Sequence, residues 1–103
     1  MTTYRFTMGA HTWTVDATER TSDRLQTLGR YGETEADKLT IYLDAELNAT
    51  LWNDTLLHEL VHAAAATSGL THRLPDNLEE DIAASIAPYL AQALEALIAG
   101  GLR

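Results

Sequence analysis

From about Leu51 to Ser68 the chain contains neither proline nor glycine, and Leu56, Leu57, Leu60, Val61 and Ala64 recur at helical spacing. The run predicts a helix with an apolar face, and Gly69 stands where a C-terminal cap belongs. Within it lies His58-Glu59-Leu60-Val61-His62. Two imidazoles four residues apart sit one turn from each other on the same helix face. Leu60 and Val61 fill the positions between them and would anchor the helix in the core.

The other segments supply what can bury it. Tyr4 to Met8 alternates, is rich in strand formers and runs into Gly9-Ala10; Thr12 to Val15 alternates again, so the two predict a hairpin. The polar stretch Asp16 to Arg24 breaks this pattern. Leu25 to Tyr31 fits either a strand or a short helical turn, because Gly29 and Gly32 oppose a long helix. Leu39 to Leu43 is the clearest strand, with Leu39, Ile41 and Leu43 on one face. A last helix begins near Asp76, where Asp76 and Glu79 have the spacing of a capping box. Ile82, Ile86, Leu90, Leu94 and Leu97 carry it on, Pro88 predicts a kink or break, and Gly100-Gly101 ends it. The fold class is α+β: a small N-terminal sheet, then two helices, in one domain spanning 1–103.

Two histidines at this spacing can share a tetrahedral metal ion at about 2.0–2.1 Å, and Glu59, offset around the helix, can act as general base on a metal-bound water. A chance match on a solvated face is the plain alternative, and the apolar helix context argues against it. Catalytic zinc sites take three protein ligands and a water. A third histidine six residues after His62 is excluded, because position 68 is Ser. Glu80, Glu79 and His72 are the candidates. Glu80 is favoured: it heads a stripe of small residues, Ala83, Ala84, Ala87 and Ala91, that lets two helices approach closely. Glu79 has a capping position and heads the bulkier stripe through Ile82, Ile86 and Leu90, which must also face the core. His72 falls in a loop and comes last.

Composition narrows the chemistry. With no cysteine, disulfides and thiolate metal sites are excluded, so a metal must be held by His and carboxylates. A net charge of -8 with only 7 basic residues, mostly scattered, argues against a nucleic-acid partner. The start Met1-Thr2-Thr3-Tyr4-Arg5 leads into no apolar signal core, and Ala63 to Ala66 is far too short to span a bilayer. The expectation is a cytoplasmic protein without a membrane partner.

Thr55 to Ala63 resembles the active-site helix of small gluzincin-type proteins, among them the ImmA/IrrE-like metallopeptidases and short phage-encoded metallopeptidases. Glu79-Glu80-Asp81-Ile82 resembles their Glu-bearing helix, and Leu39 to Leu43 sits where they have a strand just ahead of the active-site helix. The resemblance covers about the last two thirds of the chain. It implies a zincin-like minimal domain with His58 and His62 as zinc ligands, Glu59 as catalytic base and a Glu at the head of the last helix as third ligand. It also implies a phage or bacterial source. The DNA-binding or regulatory segments of larger relatives are not expected here.

The implied activity is zinc-dependent hydrolysis of peptide bonds in a peptide or protein substrate. Zinc would bring the pKa of its bound water to about 7, and Glu59 would accept the proton and pass it to the leaving amine. A sheet edge from Gly29 to Glu33 or Leu39 to Leu43 would bind an extended peptide as an added strand. The rival is a non-catalytic, zinc-stapled binding module of a phage or bacterial regulatory kind; a helical scaffold without metal is a third reading. Trp13, Trp52 and Phe6 are expected as core or interface residues rather than substrate stackers, Trp52 with a lesser prospect as pocket wall. Tyr31 and Tyr42 are candidates to assist an oxyanion. The Leu90 to Leu97 end of the last helix is apolar enough for either packing or a dimer contact.

Overall fold

The computed structural model describes residues 2–102. Strands β1 (Thr3–Met8) and β2 (His11–Asp16) form the expected hairpin, with Tyr4 opposite Val15 and Phe6 opposite Trp13. Gly9 takes φ 60° at the first central position of the two-residue turn, as a type II′ hairpin turn requires.

The polar stretch after β2 is the start of a helix. Helix α1 (Glu19–Leu28) is capped by Thr18, whose side chain accepts from the Thr21 N–H at 3.3 Å. Asp16 in turn accepts from the Thr18 N–H at 3.0 Å and its hydroxyl at 2.8 Å. Burial alone would raise the Asp16 pKa; these bonds outweigh it and hold the carboxyl below its ordinary value. Leu25 to Tyr31 is thus the end of α1 and the turn after it. Ser22 and Gln26 tie α1 to the segment preceding the next helix, through bonds to the Ala45 N–H (2.9 Å) and Asp44 (3.1 Å).

A further strand, β3 (Gly32–Glu35), precedes β4 (Thr40–Leu43). The mixed sheet runs β1-β2-β4-β3, with β4 parallel to β2 and antiparallel to β3. β3 is therefore an edge, while β4 lies inside the sheet and offers no edge to a peptide. Leu39 stands just outside β4 at φ 49°, closing a single 3-10 turn at Ala36–Lys38, yet it still packs against the core.

Helix α2 (Ala49–Ser68) covers the sheet face that carries Trp13, Val15, Ile41 and Leu43. Ala63 of α2 is fully buried there, with Trp52, Leu56, Leu60 and Ala66 around it. Asn48 caps the helix by accepting from the Leu51 N–H at 3.0 Å. Trp13 donates its indole N–H to Thr67 at 2.9 Å, so this large core residue leaves no polar group unpaired. Trp13 is core, and Phe6 and Trp52 pack against it.

Helix α3 (Leu78–Ala99) packs on α2 through Ala83, Ala87 and Ala91, which are 0%, 0% and 1% exposed, whereas Ala84 faces solvent. Three expectations fail here. Pro88 does not break α3: the carbonyl it deprives of a partner is that of exposed Ala84, where water can take over, and the alanine line holds both halves. The bulky stripe does not face the core, since Ile86 and Leu90 are about half exposed. The Asp76–Glu79 capping box does not form. Asn77 caps α3 at φ 70° with no side-chain bond, and Glu79 points to α2 instead.

Candidate metal centre

The outer side of α2 presents His58 and His62, their ring centroids 5.1 Å apart, and the first turn of α3 presents Glu79 and Glu80. Glu80 bridges the two imidazoles. Its Oε1 lies 3.1 Å from His58 Nε2 and 2.8 Å from His62 Nε2. Ligand atoms of His58, His62 and Glu80 all fall within 4.8 Å of one another. Tetrahedral zinc with bonds of about 2.0–2.1 Å needs ligand atoms roughly 3.3 Å apart, a spacing that the 3.1 and 2.8 Å separations of Glu80 from the two histidines approach. Two imidazole nitrogens and a carboxylate oxygen are also the donors zinc prefers in the absence of thiolates. These three residues could hold a metal ion. His72 is exposed on a 3-10 turn (Leu70–His72) and does not join them.

Glu79 takes a different place. Its Oε2 lies 2.5 Å from His62 Nδ1, and Thr71 donates its hydroxyl to Oε1 at 2.6 Å. A carboxylate on Nδ1 selects the tautomer whose Nε2 lone pair is free for a metal, and it fixes the ring plane. Glu79 is thus the orienting group for His62, and Glu80 is the one that reaches both Nε2 atoms.

The same contacts set the charge of the cluster without a metal. Burial would lower the His62 pKa, but bonds to Glu79 and Glu80 outweigh burial and raise it. For Glu79 and Glu80 burial acts upward, and the histidine bonds outweigh it and lower both.

Glu59 is only 8% exposed. One residue from His58 along the helix, its side chain is turned about 100° away and meets β3. Thr34 donates to Glu59 Oε1 at 2.7 Å, and the same hydroxyl lies 3.1 Å from the Glu59 carbonyl. The approach of β3 to α2 depends on Gly32. A Cβ there would meet Thr55 Cγ2 at 2.7 Å and Leu43 Cδ2 and the Tyr42 carbonyl at 3.1 Å. Thr34 carries no motif and sits in a strand that Gly-Glu-Thr-Glu does not announce, so no sequence signal points to it.

Two clefts of about 370 and 350 Å³ open on either side of this junction. His62, Glu79 and Glu80 line the first, Tyr31 and His58 the second, and Arg30, Gly32 and Glu59 belong to both. Tyr42 lines neither. Its hydroxyl is donated to Glu35 at 2.9 Å beneath the Arg24 guanidinium, and burial together with Glu35 raises its pKa. Of the two tyrosines, only Tyr31 stands at the cleft. Trp52 contributes to neither wall. Comparison of the chain with protein-family models, with curated proteins and with solved structures finds no match.

Proposed function

We propose that this chain is a minimal zinc-dependent peptidase of the gluzincin type. One observation carries the reading: a nearly buried glutamate adjoins a three-ligand cluster at a cleft, beside an unpaired strand edge. His58, His62 and the 57% exposed Glu80 would supply three protein ligands to a bound ion and no fourth. Catalytic zinc sites keep the remaining position for water, whereas structural sites close it with a fourth protein ligand.

A bound zinc ion would supply Lewis acidity to a water and to a substrate carbonyl. Glu59 takes the proton released by the attacking water and returns it to the leaving nitrogen. Thr34 holds the Glu59 carboxylate in one orientation for that exchange. Glu79 keeps the His62 ring in register. The outer edge of β3 aligns an extended peptide as an added strand past both clefts, with Arg30 and Tyr31 at its start.

The test is to incubate the zinc-loaded chain with a mixed peptide library and read new termini by mass spectrometry, beside Glu59→Gln. Cleavage by the wild type, lost in Glu59→Gln with zinc still bound, is the expected result. Full turnover by Glu59→Gln would exclude this mechanism. Tight zinc without any cleavage would favour the non-catalytic zinc-stapled module.

A further inference from the structure

The backbone groups of β3 face two ways, and their directions can be assigned. Asp44 donates its N–H to the Tyr31 carbonyl at 3.0 Å, and Thr14 donates to the Leu39 carbonyl at 2.9 Å on the other side of β4. Backbone groups alternate in direction along a strand, so Thr40 and Tyr42 turn theirs toward β3 and meet their register partners Glu35 and Glu33. The N–H and C=O groups of Gly32 and Thr34 therefore point out of the sheet. Among the described residues, no turn, loop or side chain bonds them.

These two outward positions lie at the site. Gly32 and Thr34 line the cleft of about 370 Å³ together with Glu59, His62 and Glu80. Their face of the sheet abuts α2, Gly32 against Thr55 and Thr34 against Glu59. Thr34 thus has its backbone on the open edge and its side chain on the proposed base. An edge with two outward residues two apart is matched by an extended polypeptide segment, which returns the same pattern of donors and acceptors. Whichever way the segment runs, the Gly32 and Thr34 carbonyls take N–H groups two residues apart. A helical segment spends its N–H groups internally, and proline has none to give. We propose that Gly32 and Thr34 form a two-rung ladder that selects extended segments with a free N–H at two positions two residues apart, and that Thr34 is the positioning residue that sets the scissile bond against Glu59. The ladder stands on the geometry alone; the placing of the scissile bond rests on the peptidase reading.

The first test needs no turnover. An acetylated, amidated octapeptide of alternating threonine and valine with lysine ends is titrated into the isotope-labelled chain without zinc. The amide protons of Gly32 and Thr34 should move downfield furthest, in proportion to the peptide added. The same peptide N-methylated at every residue has the same charge and should not move them. Equal shifts with both peptides, or none with either, would overturn the ladder. The second test uses the zinc-loaded chain and a mixed peptide library. Proline should be missing from two positions two residues apart at a fixed offset from the cut; proline accepted at both would overturn the selection. Thr34→Val keeps the backbone rung and the side-chain shape but loses the hydroxyl. Its kcat should fall by about 10- to 100-fold with KM unchanged, and Thr34→Ser should restore most of the loss. An unchanged kcat in Thr34→Val, or a change in KM alone, would remove Thr34 from this role. Shifts at Gly32 and Thr34 without any cleavage would support the ladder and sink the peptidase reading instead.

Discussion

Helices α2 and α3 are neighbours of similar length, 20 and 22 residues, but the molecule holds them in opposite ways. α2 lies between the sheet and α3, and no residue from Leu51 to Ala63 is exposed. α3 packs on α2 through three small buried residues, Ala83, Ala87 and Ala91, helped by polar bonds from Glu79, Glu80 and Glu95, while Ile86, Leu90, Leu94 and Leu97 are about half exposed. The metal cluster spans this boundary. His58 and His62 ride on the helix the core fixes, and Glu80 rides on the helix the core barely grips. A cation shared by His58, His62 and Glu80 would therefore act as the clamp that sets the head of α3.

The contrast can be broken in several ways. The largest effect is expected from Glu80→Ala, which removes the only ligand from α3. Zinc affinity, measured by competition with a chromophoric chelator, should fall by more than the roughly 100-fold upper cost of losing an outer-shell partner. Glu79→Gln loses only the orienting carboxylate, so the same measurement should show a loss of about 10–100-fold. Equal losses in the two variants would erase the distinction drawn between neighbouring glutamates.

Within α3, size and importance should run against each other. Ala87→Leu overfills the contact with α2 and should destabilise urea unfolding by about 1–3 kcal/mol. Leu90→Ala removes more atoms from an exposed site and should change stability by only about 0.5 kcal/mol. The reverse order would mean that α3 is seated on its bulky stripe.

The smallest effect is the pH dependence of the metal-free protein. His62 is raised in the folded state, so its contribution is complete below the ordinary imidazole value of 6.5 and fades as pH rises through the folded value. Glu79 and Glu80 are lowered, so theirs is complete above 4.5 and fades as pH falls. Thermal stability without metal should have a shallow maximum between these values, and His62→Ala should flatten it.

How much of this was legible follows the same divide. The core side of α2, the β1–β2 hairpin and the histidine pair were readable because periodicity and spacing encode them directly. Glu80 was readable because the alanine stripe records how closely α3 approaches α2. α1 was hidden because its buried residues are Thr21, Ser22 and Leu25, which carry little apolar signal. β3 was hidden because its contact with α2 rests on the absence of a side chain at Gly32, and the role of Thr34 exists only once β3 is in place. The capping-box pattern misled because Glu79 finds a stronger partner in His62 than in its own backbone. Pro88 misled because a helix held by a line of alanines tolerates one unpaired carbonyl on its wet side.

The proposed function requires that α2 and α3 together bind one metal ion. Native mass spectrometry of the intact chain, purified without chelators and re-exposed to zinc, tests it most directly beside His62→Ala. One zinc per chain in the wild type and none in the variant is the expected result. A wild type that takes up no zinc, or a variant that retains it, would show that this cluster is not a metal site.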